Sequence, residues 1–222
     1  MLLKDYYDGP LKGIIGWKLP ESDIIKSIPK LKNSITEYSA FPLAKGIMTT
    51  DNFPKVRSVN IGGGKIVGVA KGAGMIEPNM ATMLTFIMTD IKISRDELRE
   101  IFPALVDKTY NRISIDSDQS TSDTGVIISS GIVDGVTTEE FKKALYCVML
   151  ELSQDIVRNG EGTAHVIEVT VLGAKSVKDG TTIGKAIVNA PLLKAAIYGN
   201  DPNLGRIIQA IGDVTGNNDI YI

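Results

Sequence analysis

The chain has 222 residues, of which 43% are hydrophobic and 23% charged, and its formal net charge is −2. This composition is ordinary for a globular protein with one large domain or two small ones. The nearly balanced charge, without a basic block, argues against nucleic acid or an anionic membrane surface as a partner. No apolar run approaches the length of a membrane span and the N-terminus lacks a signal-peptide pattern, so we expect a cytoplasmic protein.

The first part of the chain is predicted to contain one short helix followed by several strands. Residues 21–32 are compatible with a helix that Pro29 breaks. Residues 45–88 have the pattern of strands separated by glycine-rich turns. Within them, the dense apolar run at residues 83–88 indicates a buried strand.

Two longer helices begin at capping boxes, in which a hydroxyl residue is followed three positions later by glutamate. Ser94 and Glu97 form the first box, and Thr137 and Glu140 form the second. Cys147 lies in the second helix and is predicted to be a small core residue, because a lone cysteine has no internal disulfide partner. The other elements are predicted as strands at residues 113–115, 124–129, 165–172 and 193–197, and as helical segments at residues 184–188 and 207–211. Mixed strands and helices without an internal repeat predict one layered α/β or α+β domain.

Patterns that would indicate a nucleotide or metal site are incomplete. The glycines at residues 62–64 precede a lysine, but Ile66 stands where a phosphate loop requires serine or threonine, so we interpret them as a hairpin turn. The run that starts at Asp116 resembles the start of a calcium loop, but Thr121 replaces the required glycine. His165 is the only histidine, and an alternating strand-like segment surrounds it, which argues against a serine–histidine–aspartate triad.

Thr82 lies where irregular residues give way to the apolar run. If the Ala81–Thr82 bond were cut, Thr82 would carry a free α-amine of near-neutral pKa beside its own hydroxyl. Such an amine can act as the general base for a threonine nucleophile without a histidine. From the residues alone, a structural threonine at the start of a strand remains the simpler interpretation.

Five segments change that interpretation, because they occur in the order that one enzyme family shows. The chain resembles the ornithine acetyltransferase family, also called the ArgJ family or glutamate N-acetyltransferases. The segments are residues 48–55 (MTTDNFPK), 71–84 (KGAGMIEPNMATML), 114–124 (SIDSDQSTSDT), 156–163 (IVRNGEGT) and 189–206 (NAPLLKAAIYGNDPNLGR).

The resemblance implies a layered α/β fold of DmpA/ArgJ-like stacked sheets flanked by helices, of the N-terminal-nucleophile type. It implies that residues 1–222 form a single core that cuts itself into residues 1–81 and 82–222. The two pieces would stay associated, in an assembly of α2β2 type. It also implies no cofactor, although acetyl-CoA is a possible second acetyl donor.

The reaction that the resemblance implies moves an acetyl group from N-acetylornithine to glutamate through an acetyl-threonine ester. Thr82 would be the nucleophile, and Ala81–Thr82 the cleavage site. Thr49, Lys71 and Glu161 would bind the amino-acid substrate together with Thr82, the lysine pairing with a carboxylate and the glutamate with an ammonium group. For Lys71 and Glu161, a solvated surface charge is the alternative.

The chain departs from the family pattern in two ways. The family's oxyanion segment contains a threonine–glycine pair, and its best counterpart here has Lys12 before Gly13, so a hydroxyl donor is lost while a backbone N–H remains. Gly13 could instead be a turn glycine. Family members also extend further at both ends. A non-catalytic, truncated relative and a self-cleaving amidase that uses water as the acceptor therefore stay open as alternatives.

Overall fold

The structure is a computed structural model that describes residues 18–34, 38–77, 83–119 and 124–217. Its helices are α1 (Glu21–Leu31), α2 (Phe41–Gly46), α3 (Arg95–Val106), α4 (Thr138–Arg158), α5 (Val177–Asn189), α6 (Pro191–Tyr198) and α7 (Leu204–Asn217). Its strands are β1 (Lys55–Ile61), β2 (Gly64–Lys71), β3 (Leu84–Ile91) and β4 (Thr124–Val133). The predicted mixture of helices and strands is confirmed.

The four strands form one sheet in the order β1-β2-β3-β4. The first three strands pair antiparallel, and β3 pairs with β4 in parallel. A parallel neighbour requires a crossover connection, and α3 lies in that connection. The turn between β1 and β2 has two residues, Gly62 and Gly63, both with positive φ, which glycine adopts without steric cost. The predicted hairpin is therefore confirmed.

The main hydrophobic core lies between the sheet and helices α3 and α4. Both helices begin at the predicted capping boxes, in which the side chain of Ser94 or Thr137 accepts a bond from the backbone three residues later. Helix α4 packs against β1 and β2, and α3 packs against α4. Fully or almost fully buried side chains fill the space between them: Ile66, Ile87, Ile91, Phe141, Leu145, Met149, Leu152 and Ile156.

One buried polar contact links the sheet to the turn after α3. The hydroxyls of Thr85 and Tyr110 lie 3.0 Å apart, and both residues are almost completely buried. Burial raises the pKa of Tyr110, with the Thr85 bond acting weakly in the opposite direction, so the phenol stays neutral.

Removing the Tyr110 hydroxyl should destabilise the fold, because the Thr85 hydroxyl would then lose its described partner. We expect Tyr110→Phe to lower the free energy of unfolding by about 1–3 kcal/mol. Adding Thr85→Val should restore much of this loss, since an apolar pair of similar shape leaves no buried hydroxyl unpaired. Urea unfolding of the single and double variants measures both effects, and a double variant less stable than Tyr110→Phe would contradict the account.

The last three helices pack around a second, smaller cluster. Its buried members are Ile187, Leu193 and Ala210, one from each of α5, α6 and α7. Val169 packs against this cluster from the segment that precedes α5. That segment, residues 165–172, is not assigned to a strand, and no backbone–backbone hydrogen bond within the described ranges involves it. The predicted strand at residues 165–172 is therefore wrong, although within it Ile167, Val169 and Val171 are partly buried and the residues between them are exposed.

Four further local predictions are wrong. Residues 193–197 form part of α6, which starts with Pro191 at its first position, and residues 113–115 are not a strand. Pro29 lies inside α1 without breaking it. Cys147 is exposed, because it lies on the side of α4 that faces away from the core. The helical segment predicted at residues 184–188 is confirmed as part of the longer helix α5.

Two properties of the described part of the chain bear on the expected class of protein. None of its helices is both long enough and apolar enough to cross a membrane. It contains the one four-stranded sheet, so a second stacked sheet is not among residues 18–34, 38–77, 83–119 and 124–217.

Candidate active site

Three residues predicted to bind substrate lie around the turn that follows β2. Thr49 precedes β1, Lys71 is the last residue of β2, and Glu161 follows the end of α4. The Lys71 ammonium donates to the Thr49 hydroxyl at 3.4 Å. The backbone N–H of Glu161 donates to the carbonyl of Ala73 at 2.7 Å. Elements that are distant in the sequence therefore converge on residues 71–74.

Gly74 allows the Glu161 side chain to approach this turn. A Cβ atom at Gly74 would lie 2.9 Å from one carboxylate oxygen of Glu161, closer than real contacts of this kind. Glu161 and Thr49 are both exposed, and Lys71 is partly exposed. The predicted binding residues therefore form a solvent-accessible group with one ammonium, one carboxylate and one hydroxyl.

A buried carboxylate lies beneath Thr49 and Lys71. Asp51 accepts from the Lys55 ammonium at 2.6 Å and from the backbone N–H of Gly72 at 2.8 Å through one oxygen. Its other oxygen accepts from the backbone N–H of Thr49 at 3.0 Å and faces the Thr49 hydroxyl at 3.5 Å. The side chains of Asp51 and Lys55 are both fully buried.

These contacts decide the ionisation of the pair. Burial would raise the pKa of Asp51, but the hydrogen bonds from Lys55, Thr49 and Gly72 outweigh it and hold the pKa below its ordinary value. Burial is also the largest influence on Lys55, and it lowers the pKa of that ammonium while Asp51 opposes the change. Because Lys55 and two backbone donors together lower the pKa of Asp51, we describe Asp51 and Lys55 as an ion pair.

The lowered pKa of Asp51 predicts a loss of stability in acid. A carboxyl whose pKa is lower in the folded protein contributes stability above its unfolded value of 3.8, and loses it as the pH falls through the folded value. The free energy of unfolding should therefore decrease as the pH falls from about 5 towards 2. Urea titrations across this range should show a weaker decrease for Asp51→Asn, and equal slopes would contradict the assignment.

The end of α4 is fixed to the same region. The side-chain oxygen of Asn159 accepts from the backbone N–H of Asn52 at 3.1 Å. The Asn159 side-chain N–H₂ is buried and has no partner among the described residues. One turn earlier, Asp155 makes a two-bond ion pair with Arg57 of β1, at 2.7 and 2.8 Å. The Asn159 bond connects the end of α4 to the residue after Asp51, and the Asp155–Arg57 pair connects the body of α4 to β1.

The segment that leads towards Thr82 is held by backbone contacts on one side. The Asp116 carboxylate accepts from the backbone N–H groups of Met75 and Ile76, and the backbone N–H of Ile115 donates to the carbonyl of Ile76 at 2.7 Å. Met75 has a φ of 57°, a conformation that these bonds stabilise. Asp116 therefore supports the backbone at residues 75 and 76.

Glu77 is held by helix α5. Its carboxylate accepts from the Asn189 amide at 3.1 Å and forms an ion pair with Lys185 at 3.1 Å. Burial lowers the pKa of Lys185, and Glu77 counteracts that effect. Sequence reasoning assigned no role to Asp51, Lys55, Glu77 or Lys185. Three of these residues occur in the matched segments: Asp51, Lys55 and Glu77. Their polar side chains next to predicted strands were the signal from which a role could have been inferred.

A cleft of about 870 Å³ opens between α4 and residues 163–177. Glu161 lies at its border, and Lys185, Lys194 and His165 contribute to its walls. His165 lies 3.1 Å from the side-chain oxygen of Asn200, a contact that does not resemble a catalytic triad. In the residues that the structure describes, no cluster of three or more His, Cys, Asp or Glu side chains could hold a metal ion. The predicted nucleophile and cleavage site, Thr82 and Ala81, and the oxyanion residues Lys12 and Gly13 lie outside the described residues.

Fold and site together define a mixed α/β protein with a group of accessible polar side chains around the turn that follows β2. A family model described as the ArgJ family matches residues 12–220. The chain therefore belongs to the ArgJ family.

Similar proteins are known from several organisms. The chain is 48% identical over 200 residues to the arginine biosynthesis bifunctional protein ArgJ 2 of Clostridium acetobutylicum, covering 90% of this chain and 52% of that protein. It is 47% identical to the glutamate N-acetyltransferase of Methanocaldococcus jannaschii, again with 90% and 52% covered. The chain thus spans about half the length of the curated relatives it matches.

A solved structure is also similar. The crystal structure of the arginine biosynthesis bifunctional protein argJ from Bacillus halodurans aligns with a TM-score of 0.56 and 40% sequence identity. The alignment covers 59% of this chain and 65% of that chain.

Proposed function

We propose that this chain carries the acyl-transfer core of a glutamate N-acetyltransferase and moves an acetyl group from N-acetylornithine to glutamate, a step of arginine biosynthesis. The observation that carries the proposal is the convergence of Thr49, Lys71 and Glu161 around the segment that leads to Thr82. Membership of the ArgJ family supports the same assignment.

The proposed reaction begins with cleavage of the chain. The Thr82 hydroxyl attacks the carbonyl carbon of Ala81, and the C–N bond breaks to leave an ester on the Thr82 oxygen and a free α-amine. Water then hydrolyses the ester, which releases the carboxylate of Ala81 and restores the Thr82 hydroxyl. The amine then serves as the general base of the mature site. Its proximity to the hydroxyl on the same residue removes the need for a catalytic histidine.

Acetyl transfer then proceeds in two halves. Thr82 attacks the acetyl carbonyl of N-acetylornithine, its α-amine accepts the hydroxyl proton, and that proton passes to the departing α-amine of ornithine. The α-amine of glutamate next attacks the acetyl-threonine ester, which restores the hydroxyl and releases N-acetylglutamate. Both halves pass through an oxyanion that requires hydrogen-bond donors, and we assign that role to the Lys12–Gly13 segment.

Lys71 and Glu161 provide opposite charges for the two ends of an amino acid. The Lys71 ammonium is placed to receive the substrate carboxylate, with the Thr49 hydroxyl 3.4 Å away as a second donor. The Glu161 carboxylate lies on the other side of the turn, against Gly74, and receives the ammonium group. In N-acetylornithine that ammonium is the side-chain one, because the α-nitrogen carries the acetyl group. Both N-acetylornithine and glutamate present an α-carboxylate to Lys71.

The proposal includes the stacked-sheet, N-terminal-nucleophile fold and a single core over residues 1–222, cut after residue 81. The pieces 1–81 and 82–222 remain together in an α2β2-type assembly. Small amino acids are the substrates, and acetyl-CoA is a possible second donor for the same threonine.

Acetyl labelling with mass spectrometry tests the proposal. Incubation with N-acetylornithine should add one acetyl group to Thr82, and glutamate should remove it. If the chain is cut before Thr82 and Thr82 is acetylated, but only water removes the acetyl group, the protein is an amidase. An intact wild-type chain that accepts no acetyl group would identify a non-catalytic relative.

Charge removal at the substrate site should weaken substrate use without removing the nucleophile. We expect Lys71→Ala or Glu161→Ala to reduce apparent affinity by about 10- to 150-fold, because each loses one charged hydrogen bond of about 1.5–3 kcal/mol. Lys65→Ala on the same strand as Lys71, and Glu100→Ala on α3, replace exposed charges away from the site and should behave like wild type. If the control variants reduced apparent affinity as much as the site variants, the substrate-binding roles of Lys71 and Glu161 would be ruled out.

A further inference from the structure

We propose that Asp51 is a positioning residue, whose carboxylate sets the separation between Thr49 and the Lys71–Gly72 turn at which an amino-acid substrate binds. This inference rests on the proposed function for its substrate. It assigns a role to a residue that cannot touch the substrate itself, because its side chain is fully buried.

The argument starts from how the two oxygens of Asp51 are divided. One oxygen serves the Lys71 side of the site, through the backbone N–H of Gly72 at 2.8 Å, and is held in place by Lys55 at 2.6 Å. The other oxygen serves Thr49, through its backbone N–H at 3.0 Å and its hydroxyl at 3.5 Å. A carboxylate offers about four acceptor sites, so these four contacts use all of them. The Asp51 carboxylate thus connects Thr49 with the backbone N–H that follows Lys71.

The hydroxyl of Thr49 is where this support meets the surface. It lies between the buried carboxylate and the Lys71 ammonium, 3.5 Å from Asp51 and 3.4 Å from Lys71. The Thr49 hydroxyl donates its hydrogen bond either to Asp51 or to a ligand, and in both cases the Thr49 oxygen stays beside Lys71. A substrate carboxylate bound by Lys71 would therefore meet the hydroxyl at a fixed distance.

The support also reaches the strand that follows the proposed nucleophile. Lys71 pairs with Leu84 in the β2–β3 ladder, and Leu84 is two residues after Thr82. Fixing Gly72 therefore fixes the position of Lys71 relative to the start of β3. Because misplacement by about 1 Å can reduce a rate by about 100-fold, a loosened Gly72 would affect productive substrate binding.

Stability alone does not explain why a charged pair is buried here. Replacing a buried ion pair by apolar residues of similar volume is often neutral or stabilising, so the pair is weak evidence for a stabilising role. A carboxylate that bonds to two backbone N–H groups from different segments defines their geometry in a way that an apolar side chain does not.

The test uses Asp51→Asn, which preserves the shape of the side chain. One oxygen becomes an N–H₂ donor, so either the Thr49 or the Gly72 N–H faces another donor. We expect KM for N-acetylornithine and glutamate to rise about 10- to 100-fold. Acetylation of Thr82 by p-nitrophenyl acetate, which lacks the amino-acid part, should stay within about 2-fold of wild type because the nucleophile is unchanged.

Asp155→Asn is the matched control. It weakens a partly buried ion pair between β1 and α4 but touches neither Thr49 nor Gly72. Its KM should equal that of wild type even if its melting temperature falls as far as that of Asp51→Asn. Combining Asp51→Asn with Thr49→Ala should raise KM less than the product of the two single effects, since both act on one support.

Amide hydrogen exchange separates failure of this inference from failure of the proposed function. The Thr49 and Gly72 amides should exchange faster in Asp51→Asn than in wild type or Asp155→Asn. Unchanged exchange at both amides would overturn the inference, as would equal rises in KM for Asp51→Asn and Asp155→Asn. If wild-type protein transfers no acetyl group, the proposed function fails, and the exchange rates still decide whether Asp51 holds the two segments.

Discussion

The Thr82→Ala variant should remain a single chain of 222 residues and should transfer no acetyl group. The substitution removes the hydroxyl that attacks Ala81 in the proposed cleavage and the acetyl carbonyl in the proposed transfer. The residues on both sides of the segment are fixed, since Glu77 is bonded to α5 and the carbonyl of Met83 accepts from the backbone N–H of Thr124 at 3.1 Å. Intact mass and acetyl labelling measure both losses.

The controls for this prediction distinguish chemistry from folding. Thr82→Ser keeps a hydroxyl and should still cleave, although its rate need not match that of threonine. Both variants should fold, because the change removes no buried apolar group of the described core. A Thr82→Ala chain that splits between residues 81 and 82, or a wild-type chain that stays whole after long incubation, would refute self-cleavage by Thr82.

Gly68→Val should lower the free energy of unfolding by about 3 kcal/mol. Gly68 lies in β2 directly beneath α4, and a Cβ atom there would be 2.6 Å from Leu152, 2.8 Å from Val148 and 2.9 Å from Ile87. All three neighbours are buried in the core, so they have little space into which they can move. Chemical denaturation measures the loss.

Two further variants test whether crowding causes this effect. Adding Leu152→Ala should cost less in Gly68→Val than in wild type, because the valine fills part of the cavity that the leucine leaves. Gly184→Ala in α5 should instead stabilise the protein by about 0.5–1 kcal/mol, since its Cβ would lie 3.7 Å from the nearest neighbour and alanine favours helix. Additive effects of Gly68→Val and Leu152→Ala would argue against crowding.

Local signals predicted where helices α3 and α4 begin, because a capping box is complete within four residues. They were less informative for short apolar segments. Residues 193–197 have no period that separates a buried strand from a buried helix, and Pro191 at the start of α6 was the overlooked signal. The exposure of Cys147 follows from helical phase, since Leu145, Val148, Met149 and Leu152 occupy the opposite face.

The sequence predicted binding residues that lie together in the structure, but it did not predict how they are connected. The matched segments identified Thr49, Lys71 and Glu161, and the structure places all three around one turn. The role of Asp51 depends on a backbone N–H at residue 72, which is far along the chain and leaves no trace in composition or period. The alternation at residues 165–172 indicated extended backbone, but sheet pairing requires a partner that no local pattern specifies.

The position of the proposed cut within the sheet has a consequence for refolding. Strands β1 and β2 belong to residues 1–81, and β3, β4 and α3–α7 belong to residues 82–222. The cut would make the β2–β3 ladder, which runs from the pair Ile66–Thr89 to the pair Lys71–Leu84, part of an interface between two polypeptides. The packing of α4 on β1 and β2 would belong to the same interface. A chain that folds in a first-order reaction before cleavage would then have to reassemble in a second-order one. Recovery from denaturant should thus become dependent on protein concentration, and dilution should favour the separated pieces.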